Sequence, residues 1–199
     1  MFLTDVVVTT GGRPGARRCL AWTGALVLGI GSVAGAGQAT DASAAVHEAR
    51  GVYVVSAEFS VPGPAAVAVA VLTDYESIPR FMPAVKTSTV TERGDDYAVV
   101  EQEAVATFML FSKRIHLVLE VQAHAGTIRF RDRCGKSFER YEGAWTVSDT
   151  GGRTTIGYRL TAKPSFDVPT FLLKRLLKRD ALQMIGHLQT EVASRAAAR

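Results

Sequence analysis

The carboxy-terminal part of the chain carries a sustained helical period. Between Pro169 and about Ala193, apolar side chains recur every three or four positions, at Leu173, Leu177, Ala181, Met184, Leu188 and Val192. About twenty-five residues at 1.5 Å rise give a helix of roughly 37 Å. Such a helix must bury its apolar side, and no second strong helix precedes it. We therefore expect a β-sheet to cover it.

The region before this helix alternates between apolar and polar positions, as strands do. Segments rich in β-branched and aromatic residues are Val52–Val61, Val85–Thr91, Tyr97–Phe108, Phe111–Gln122, Thr127–Arg131, Phe138–Val147 and Thr154–Ala162. Short Gly- and Asp-containing turns separate the last six, which favours an antiparallel meander. The pattern predicts an α+β fold in which a curved, seven-stranded antiparallel sheet covers the long helix.

Between the first and second predicted strands lies the most distinctive stretch, LTDYESIPRFMPAV at 72–85. Two prolines four residues apart cannot lie inside one helix, so we expect a short helix that turns at Pro79 and stops at Pro83. Asp74 is a candidate cap for this turn. The Ala/Val-rich segment just before it predicts another short helix, which makes two after the first strand.

Strand parity predicts which residues face the long helix. In the fourth predicted strand, Ile115, Leu117 and Leu119 share one face, while His116 and Glu120 share the other. The same reasoning places a further set inward: Gln102, Ala104, Ala106, Ile128, Phe130, Tyr141, Trp145, Ile156, Tyr158 and Leu160. The row from Gln102 to Ala106 is mostly small. Small residues there either let the helix approach closely or leave space for a ligand.

The amino-terminal segment predicts export. Residues 13–44 combine three arginines, an apolar run from Leu20 to Val33, and small-residue cleavage sites at Ala34-Gly35-Ala36 and Ala42-Ser43-Ala44. The apolar run is barely long enough to span a bilayer, so we expect a cleaved signal and a periplasmic protein, with an N-terminal membrane anchor as the alternative. The predicted division is 1–44 for signal and linker and 45–199 for one ligand-binding domain.

Composition and motifs give few leads to catalysis. With 47% apolar and 21% charged residues the chain is typical of a packed globular protein, and a net charge of +4 makes no case for nucleic acid. The four histidines lack metal-ligand spacing, so we expect no metal and no redox cofactor. Asp132 has inward parity and could act as an acid or base, but its position at a turn favours a solvated residue.

The LTDYESIPRFMPAV corner, YEGAW at 141–145, P-x-F-x-x-P at 164–169 and the closing amphipathic helix together resemble the START-like (SRPBCC) superfamily. The resemblance covers about Val52 to Ala193 and is greatest to the branch of polyketide cyclase/dehydrase and coenzyme Q-binding proteins. It implies a helix-grip fold with an apolar cavity between sheet and helix. It also implies a hydrophobic ligand, such as a lipid, a quinone or a polyketide-like molecule.

Parity and this resemblance together give a candidate ligand-binding set. It comprises Phe81, Met82, Gln102, Ala104, Ala106, Leu117, Phe130, Trp145, Tyr158, Leu172 and Leu176. The plain alternative is that these residues simply form the core. We expect a ligand to enter near the Asp74–Pro83 corner or at the start of the long helix. Binding or carriage without catalysis is the leading hypothesis, and we assign no catalytic residue.

Two other functions stay open. A cyclase/dehydrase-type enzyme would need a polar pair in the cavity, such as Gln102 or Asp132 close to Tyr158. A protein-interaction module would have a filled core and no cavity. Separately, the basic cluster Lys174, Arg175, Lys178 and Arg179 could hold the cavity mouth against an anionic membrane, although a solvated helix face explains it as well.

Overall fold

The computed structural model describes residues 42–108, 111–150 and 153–198, so the predicted export segment lies almost wholly outside the described residues. The strands are β1 (Ser43–Ala49), β2 (Val52–Val61), β3 (Val85–Arg93), β4 (Tyr97–Phe108), β5 (Phe111–His124), β6 (Thr127–Asp132), β7 (Phe138–Thr150) and β8 (Arg153–Pro164). The helices are α1 (Ala65–Thr73), α2 (Ile78–Phe81) and α3 (Thr170–Ala197), with a 3₁₀ turn at Tyr75–Ser77. The α+β class and the long closing helix are confirmed.

The described residues form eight strands in one antiparallel sheet, so the predicted count of seven was wrong. The missed strand is β1, which pairs with β2 through a two-residue loop at Arg50 and Gly51. Both loop residues have positive φ angles, 52° and 75°, as a type I′ hairpin turn requires. Alanine-rich β1 has weak strand propensity, and this turn was the signal that could have revealed it. It begins at Ser43, two residues before the predicted domain boundary.

The sheet order is β1-β2-β8-β7-β6-β5-β4-β3. Strands β3 to β8 follow one another as the predicted meander, and β2 then pairs with β8. The chain must therefore cross from β2 to the far edge of the sheet before β3 can begin. Helix α1, the 3₁₀ turn and α2 make this crossing, and the prolines of the 72–85 corner lie there.

The two halves of helix α3 differ in how tightly they pack. Its second half is solidly packed: Ile185 and Val192 are fully buried, and Leu188 is 2% exposed, in a core shared with β2 and β8. In its first half, Leu172 and Leu176 lie on the side that faces the sheet but stay only half-buried. Burying such a side chain fully stabilises a fold by about 1.5–3 kcal/mol. Leu172 and Leu176 gain only part of that stabilisation because a cavity lies beneath the first half of α3.

Strand β6 is short, and its end opens a gap in the sheet between β5 and β7. The side chains of Asp132, the last residue of β6, and of Ser137, in the β6–β7 loop, bridge this gap. Asp132 Oδ1 accepts a 2.9 Å hydrogen bond from the Val118 amide, and Ser137 Oγ accepts a 3.0 Å bond from the His116 amide. We call residues 112–118 and 132–138 the β5–β7 seam. One wall of the cavity is therefore closed in part by side chains in place of a backbone ladder.

Candidate functional site

A cavity of about 760 Å³ lies between the inner face of the sheet and the first half of α3. A ligand pocket for a small molecule typically measures roughly 300–1,000 Å³. Most of the wall is aliphatic, with Ala104 and Ala106 on β4 facing Leu172 and Leu176 on α3. The small β4 residues thus leave open space in front of the helix.

The structure places all eleven predicted ligand-binding residues on cavity walls. Gln102, Ala104, Ala106, Leu117, Tyr158, Leu172 and Leu176 line the 760 Å³ cavity. Phe81, Met82, Phe130 and Trp145 line a second, inner cavity of about 190 Å³, which Gln102 and Tyr158 also line. The predicted set therefore belongs to two adjoining spaces. Their role in binding stays a prediction.

Two tyrosines provide the polar groups deep inside. Tyr158 on β8 is 8% exposed and its ring lies 4.2 Å from the Trp145 ring, while the Tyr141 ring on β7 lies 4.8 Å from that of Phe138. Burial raises the pKa of Tyr141 to about 12, although a hydrogen bond from Tyr158 opposes the rise. Burial, together with Tyr141, raises the pKa of Tyr158 well above 10. Both phenols are neutral at physiological pH. Because Tyr158 donates its one O–H to Tyr141, the Tyr141 O–H is the one available to a neutral acceptor.

Charged groups lie at the outer rim of the cavity. Lys113 Nζ lies 4.9 Å from the centre of the Phe166 ring, a cation–π arrangement. Arg179 Nη2 donates a 2.5 Å hydrogen bond to the Thr107 carbonyl oxygen, so it joins α3 to the end of β4. Burial raises the pKa of Asp180, which lines the cavity, and the adjacent Arg179 partly counters that rise. Charge is thus confined to the mouth, and the deep end is neutral.

The carboxylate of Asp132 is engaged by backbone amides and does not line the cavity. Besides the Val118 amide, its carboxylate accepts hydrogen bonds from the amides of Cys134, at 3.2 Å, and Gly135, at 3.0 Å. The residue organises the loop at the seam. Of the two predictions for Asp132, a solvated turn residue was closer to the structure than an acid or base. It missed the structural role because a side-chain hydrogen bond across a gap in a sheet leaves no periodic pattern in the sequence.

His116 faces the outer side of the sheet, as parity predicted. Its Nδ1 lies 2.5 Å from Glu103 Oε1 and its Nε2 lies 3.2 Å from Lys136 Nζ. This cluster is separated from the cavity by the sheet. Among the described residues, no group of three or more histidine, cysteine or acidic side chains is placed to hold a metal ion.

Several cavity residues were absent from the predicted set. Tyr141 was assigned to the inner face by parity but was not singled out, and Met184 was read only as part of the α3 stripe. Lys113, Phe138, Phe166 and Asp180 also line the large cavity. Parity could have added Lys113, which alternates with Ile115 and Leu117, and Tyr141. Phe138 has the opposite parity to Tyr141, and it lines the cavity because the strand register is irregular between Phe138 and Arg140. The others depend on where α3 crosses the sheet, which local sequence does not encode.

The comparisons with known proteins agree with this architecture. The family model described as polyketide cyclase/dehydrase and lipid transport matches residues 53–193, nearly all of the described chain. The chain therefore belongs to this family. Its fold is similar to that of solved START proteins. The coenzyme Q-binding part of the resemblance stays a prediction. No curated protein matches the chain in sequence.

Three solved structures show the range of similar folds. The Zhui aromatase/cyclase from Streptomyces sp. R1128 is 15% identical, with a TM-score of 0.64 over 72% of this chain and 95% of that one. A STAR-related lipid transfer protein from Xanthomonas axonopodis is 20% identical, with a TM-score of 0.57 over 76% and 98%. Human STARD10 is 12% identical, with a TM-score of 0.60 over 75% and 72%. These likenesses confirm the helix-grip fold.

Proposed function

We propose that this protein binds and carries a hydrophobic small molecule in the cavity beneath the first half of α3. The observation that carries the proposal is an apolar space of about 760 Å³, with charge at its mouth and neutral polar groups at its deep end. Removal of apolar surface from water, at about 25 cal/mol per Å², would provide most of the affinity. A filled interaction module has no such space.

The enzymatic alternative is less well supported. Gln102 Nε2 donates a 3.0 Å hydrogen bond to Ser88 Oγ, so this side chain is engaged with β3. The carboxylate of Asp132 is engaged by backbone amides at the seam. The polar pair in the cavity is instead Tyr141 and Tyr158, whose raised pKa values make them poor bases near neutral pH. A pair of neutral phenols suits holding a carbonyl better than removing a proton.

Native mass spectrometry of the protein purified without detergent from cells that express the full chain tests this function. We expect a bound hydrophobic molecule that organic extraction releases and identifies. A protein that is bare and also takes up no fluorescent apolar probe would overturn the proposal. Turnover of an added polyketide-like substrate would favour the cyclase/dehydrase alternative.

We also propose contact with an anionic membrane at the cavity mouth. Phe171, in the first turn of α3, is 76% exposed, and Lys174, Arg175 and Lys178 are exposed on the following turns. Each basic group near an anionic surface adds about 1 kcal/mol of attraction. Substituting Lys174, Arg175, Lys178 and Arg179 with Gln should weaken binding to anionic vesicles most strongly at low salt. Unchanged binding would argue against contact with an anionic membrane. Among the described residues, no helix has both the length and the apolar character needed to cross a bilayer.

Export is the proposed route to such a membrane, and β1 favours one cleavage site. Cleavage after Ala36 leaves β1 whole, whereas cleavage after Ala44 removes Ser43 and Ala44, which pair with Glu58 and Ala57. We therefore favour Ala34-Gly35-Ala36 and a periplasmic product. The intact mass of the purified protein distinguishes these sites from an uncleaved, anchored chain.

A further inference from the structure

The two cavities share one set of walls. Five side chains, Val85, Gln102, Tyr141, Tyr158 and Met184, line both the 760 Å³ space and the 190 Å³ space. We call the larger space the outer chamber, the smaller one the inner chamber, and these five residues the partition. Three of the five can form hydrogen bonds, so the partition places neutral polar groups between two mainly apolar spaces.

The partition offers neutral hydrogen-bonding groups and one flexible side chain. Desolvation of their phenol groups raises the pKa of both Tyr141 and Tyr158, so both stay protonated, and Gln102 carries no charge. A carboxylate or an ammonium group would be desolvated here without a counter-charge, which costs several kcal/mol. A carbonyl or hydroxyl oxygen fits the partition without that cost. Met184 has three rotatable side-chain bonds, so a change of its rotamer would change the space between the chambers.

The chambers differ in size and in wall chemistry. The inner chamber has aromatic walls from Phe81, Phe130 and Trp145. An apolar cavity of roughly 150 Å³ accommodates one benzene molecule, so 190 Å³ suits a single six-membered ring. The outer chamber is four times larger and extends to the charged rim. Its walls are mainly aliphatic and include Ala104 and Leu176. It suits a long or bulky aliphatic group.

We propose that the ligand spans both chambers, with a ring-sized apolar group in the inner chamber, a neutral carbonyl or hydroxyl oxygen at the partition, and a larger aliphatic part in the outer chamber. This inference rests on the proposed binding function and names the chemical class of the ligand. In this proposal, Tyr141 and Tyr158 select ligands that carry a neutral oxygen. A change of the Met184 rotamer lets the ring enter the inner chamber.

Three probes separate these features: 1-phenyl-1-dodecanone has the ring, the carbonyl and the chain, dodecylbenzene lacks the carbonyl, and 2-tetradecanone lacks the ring. Their affinities are measured on the full chain by displacement of a fluorescent apolar dye. We expect the phenyl ketone to bind on the order of tenfold more tightly than dodecylbenzene, as one hydrogen bond worth about 1.4 kcal/mol gives. Tyr141→Phe with Tyr158→Phe should remove this difference and leave dodecylbenzene binding unchanged.

The position of the ring is read from the NMR signals of ¹³C-labelled methionine methyl groups. Met82 lines only the inner chamber, and Met184 lines the partition. The phenyl ketone should shift both signals through its ring current, and 2-tetradecanone should shift mainly that of Met184. Ile78→Phe, which fills the inner chamber, should abolish the Met82 shift while 2-tetradecanone still binds.

Each result has one meaning. Equal affinities for the phenyl ketone and dodecylbenzene, with an unmoved Met82 signal, would overturn the two-chamber ligand and leave the binding function intact. Failure of all three probes and of the dye to bind would overturn both.

Discussion

Arg195 and Asp74 are 121 residues apart in sequence, yet Arg195 Nη1 donates a 2.8 Å hydrogen bond to Asp74 Oδ2. This bond ties the last turn of α3 to the turn that follows α1. Arg195 also donates a 2.7 Å bond to Glu191, one helical turn back. Asp74 forms no side-chain cap on the 3₁₀ turn, contrary to the sequence-based prediction. The packed half of α3 is therefore fastened at its end to the turn after α1, whereas the cavity half is joined to the end of β4 through Arg179.

The stability of the fold should depend on Asp74 at low pH. Burial acts to raise its pKa, but the hydrogen bond and charge of Arg195, with Ser77 and Arg80, outweigh burial and hold the pKa below the ordinary 3.8. The stabilisation is present above pH 3.8 and is lost as the pH falls through the lower folded value. Asp74→Asn should cost no more than about 1 kcal/mol at pH 7, since both partners are partly exposed. Urea unfolding at pH 7 and pH 3 measures the change, with Glu76→Gln as a control carboxylate on the same turn. An equal cost at both pH values would contradict the linkage.

Alkaline pH should destabilise the protein through Tyr141 and Tyr158. Burial raises the pKa of Tyr141 to about 12, and that of Tyr158 is also raised, whereas an unfolded tyrosine ionises near 10. Above pH 10 the unfolded state releases protons that the folded state retains, so the free energy of unfolding falls as the pH rises. Tyr141→Phe should flatten this decline between pH 10 and 12. Unfolding curves across that range, with tyrosinate absorbance at 295 nm, provide the measurement. An unchanged slope would count against the burial of this phenol.

Two glycines should respond oppositely to alanine. A Cβ atom at Gly143 on β7 would lie 2.6 Å from the Phe130 ring and would also clash with the Arg159 carbonyl. Gly143→Ala should therefore destabilise the fold by about 1–3 kcal/mol and displace a wall of the inner chamber. Gly186 lies inside α3 with no other atom within 4 Å of an added Cβ, so Gly186→Ala should stabilise by roughly 0.5–1 kcal/mol. Thermal unfolding of both variants tests the pair, and a stabilised Gly143→Ala protein would contradict the packing described for Phe130.

The bond from Arg179 to the Thr107 carbonyl should slow ligand release. Arg179→Gln removes this link across the rim, whereas Arg175→Gln removes the same charge four residues away on an exposed position. We expect Arg179→Gln to speed dye release two- to fivefold, which corresponds to about 0.5–1 kcal/mol for a partly exposed interaction. Arg175→Gln should leave the release rate in neutral buffer unchanged. Stopped-flow measurement of dye loss to a large excess of neutral vesicles gives both rates, and equal rates would assign the effect to charge alone.

The regular parts of this fold could be predicted from sequence because they depend on the spacing at which apolar residues recur along the chain. The inward parity of Ile115, Leu117 and Tyr158 and the long stripe of α3 are local patterns, and the structure confirms them. The candidate cavity followed from this parity and the small side chains Ala104 and Ala106, together with the resemblance to the START-like superfamily that implied it. Sequence could not show that these residues surround two spaces, because that depends on where α3 crosses the sheet. It also missed the link between Asp74 and Arg195, which joins distant parts of the chain.

The β5–β7 seam affects how this protein can change over evolution. Adjacent strands elsewhere in the sheet are joined by main-chain hydrogen bonds, which no substitution of a side chain removes directly. At the seam, a single main-chain bond from the Arg133 amide to the Val118 carbonyl oxygen is supplemented by bonds to the side chains of Asp132 and Ser137. One nucleotide change could therefore loosen a cavity wall while the rest of the sheet stays paired. The seam is the place where a lineage could acquire a larger or differently shaped ligand without redesigning the core.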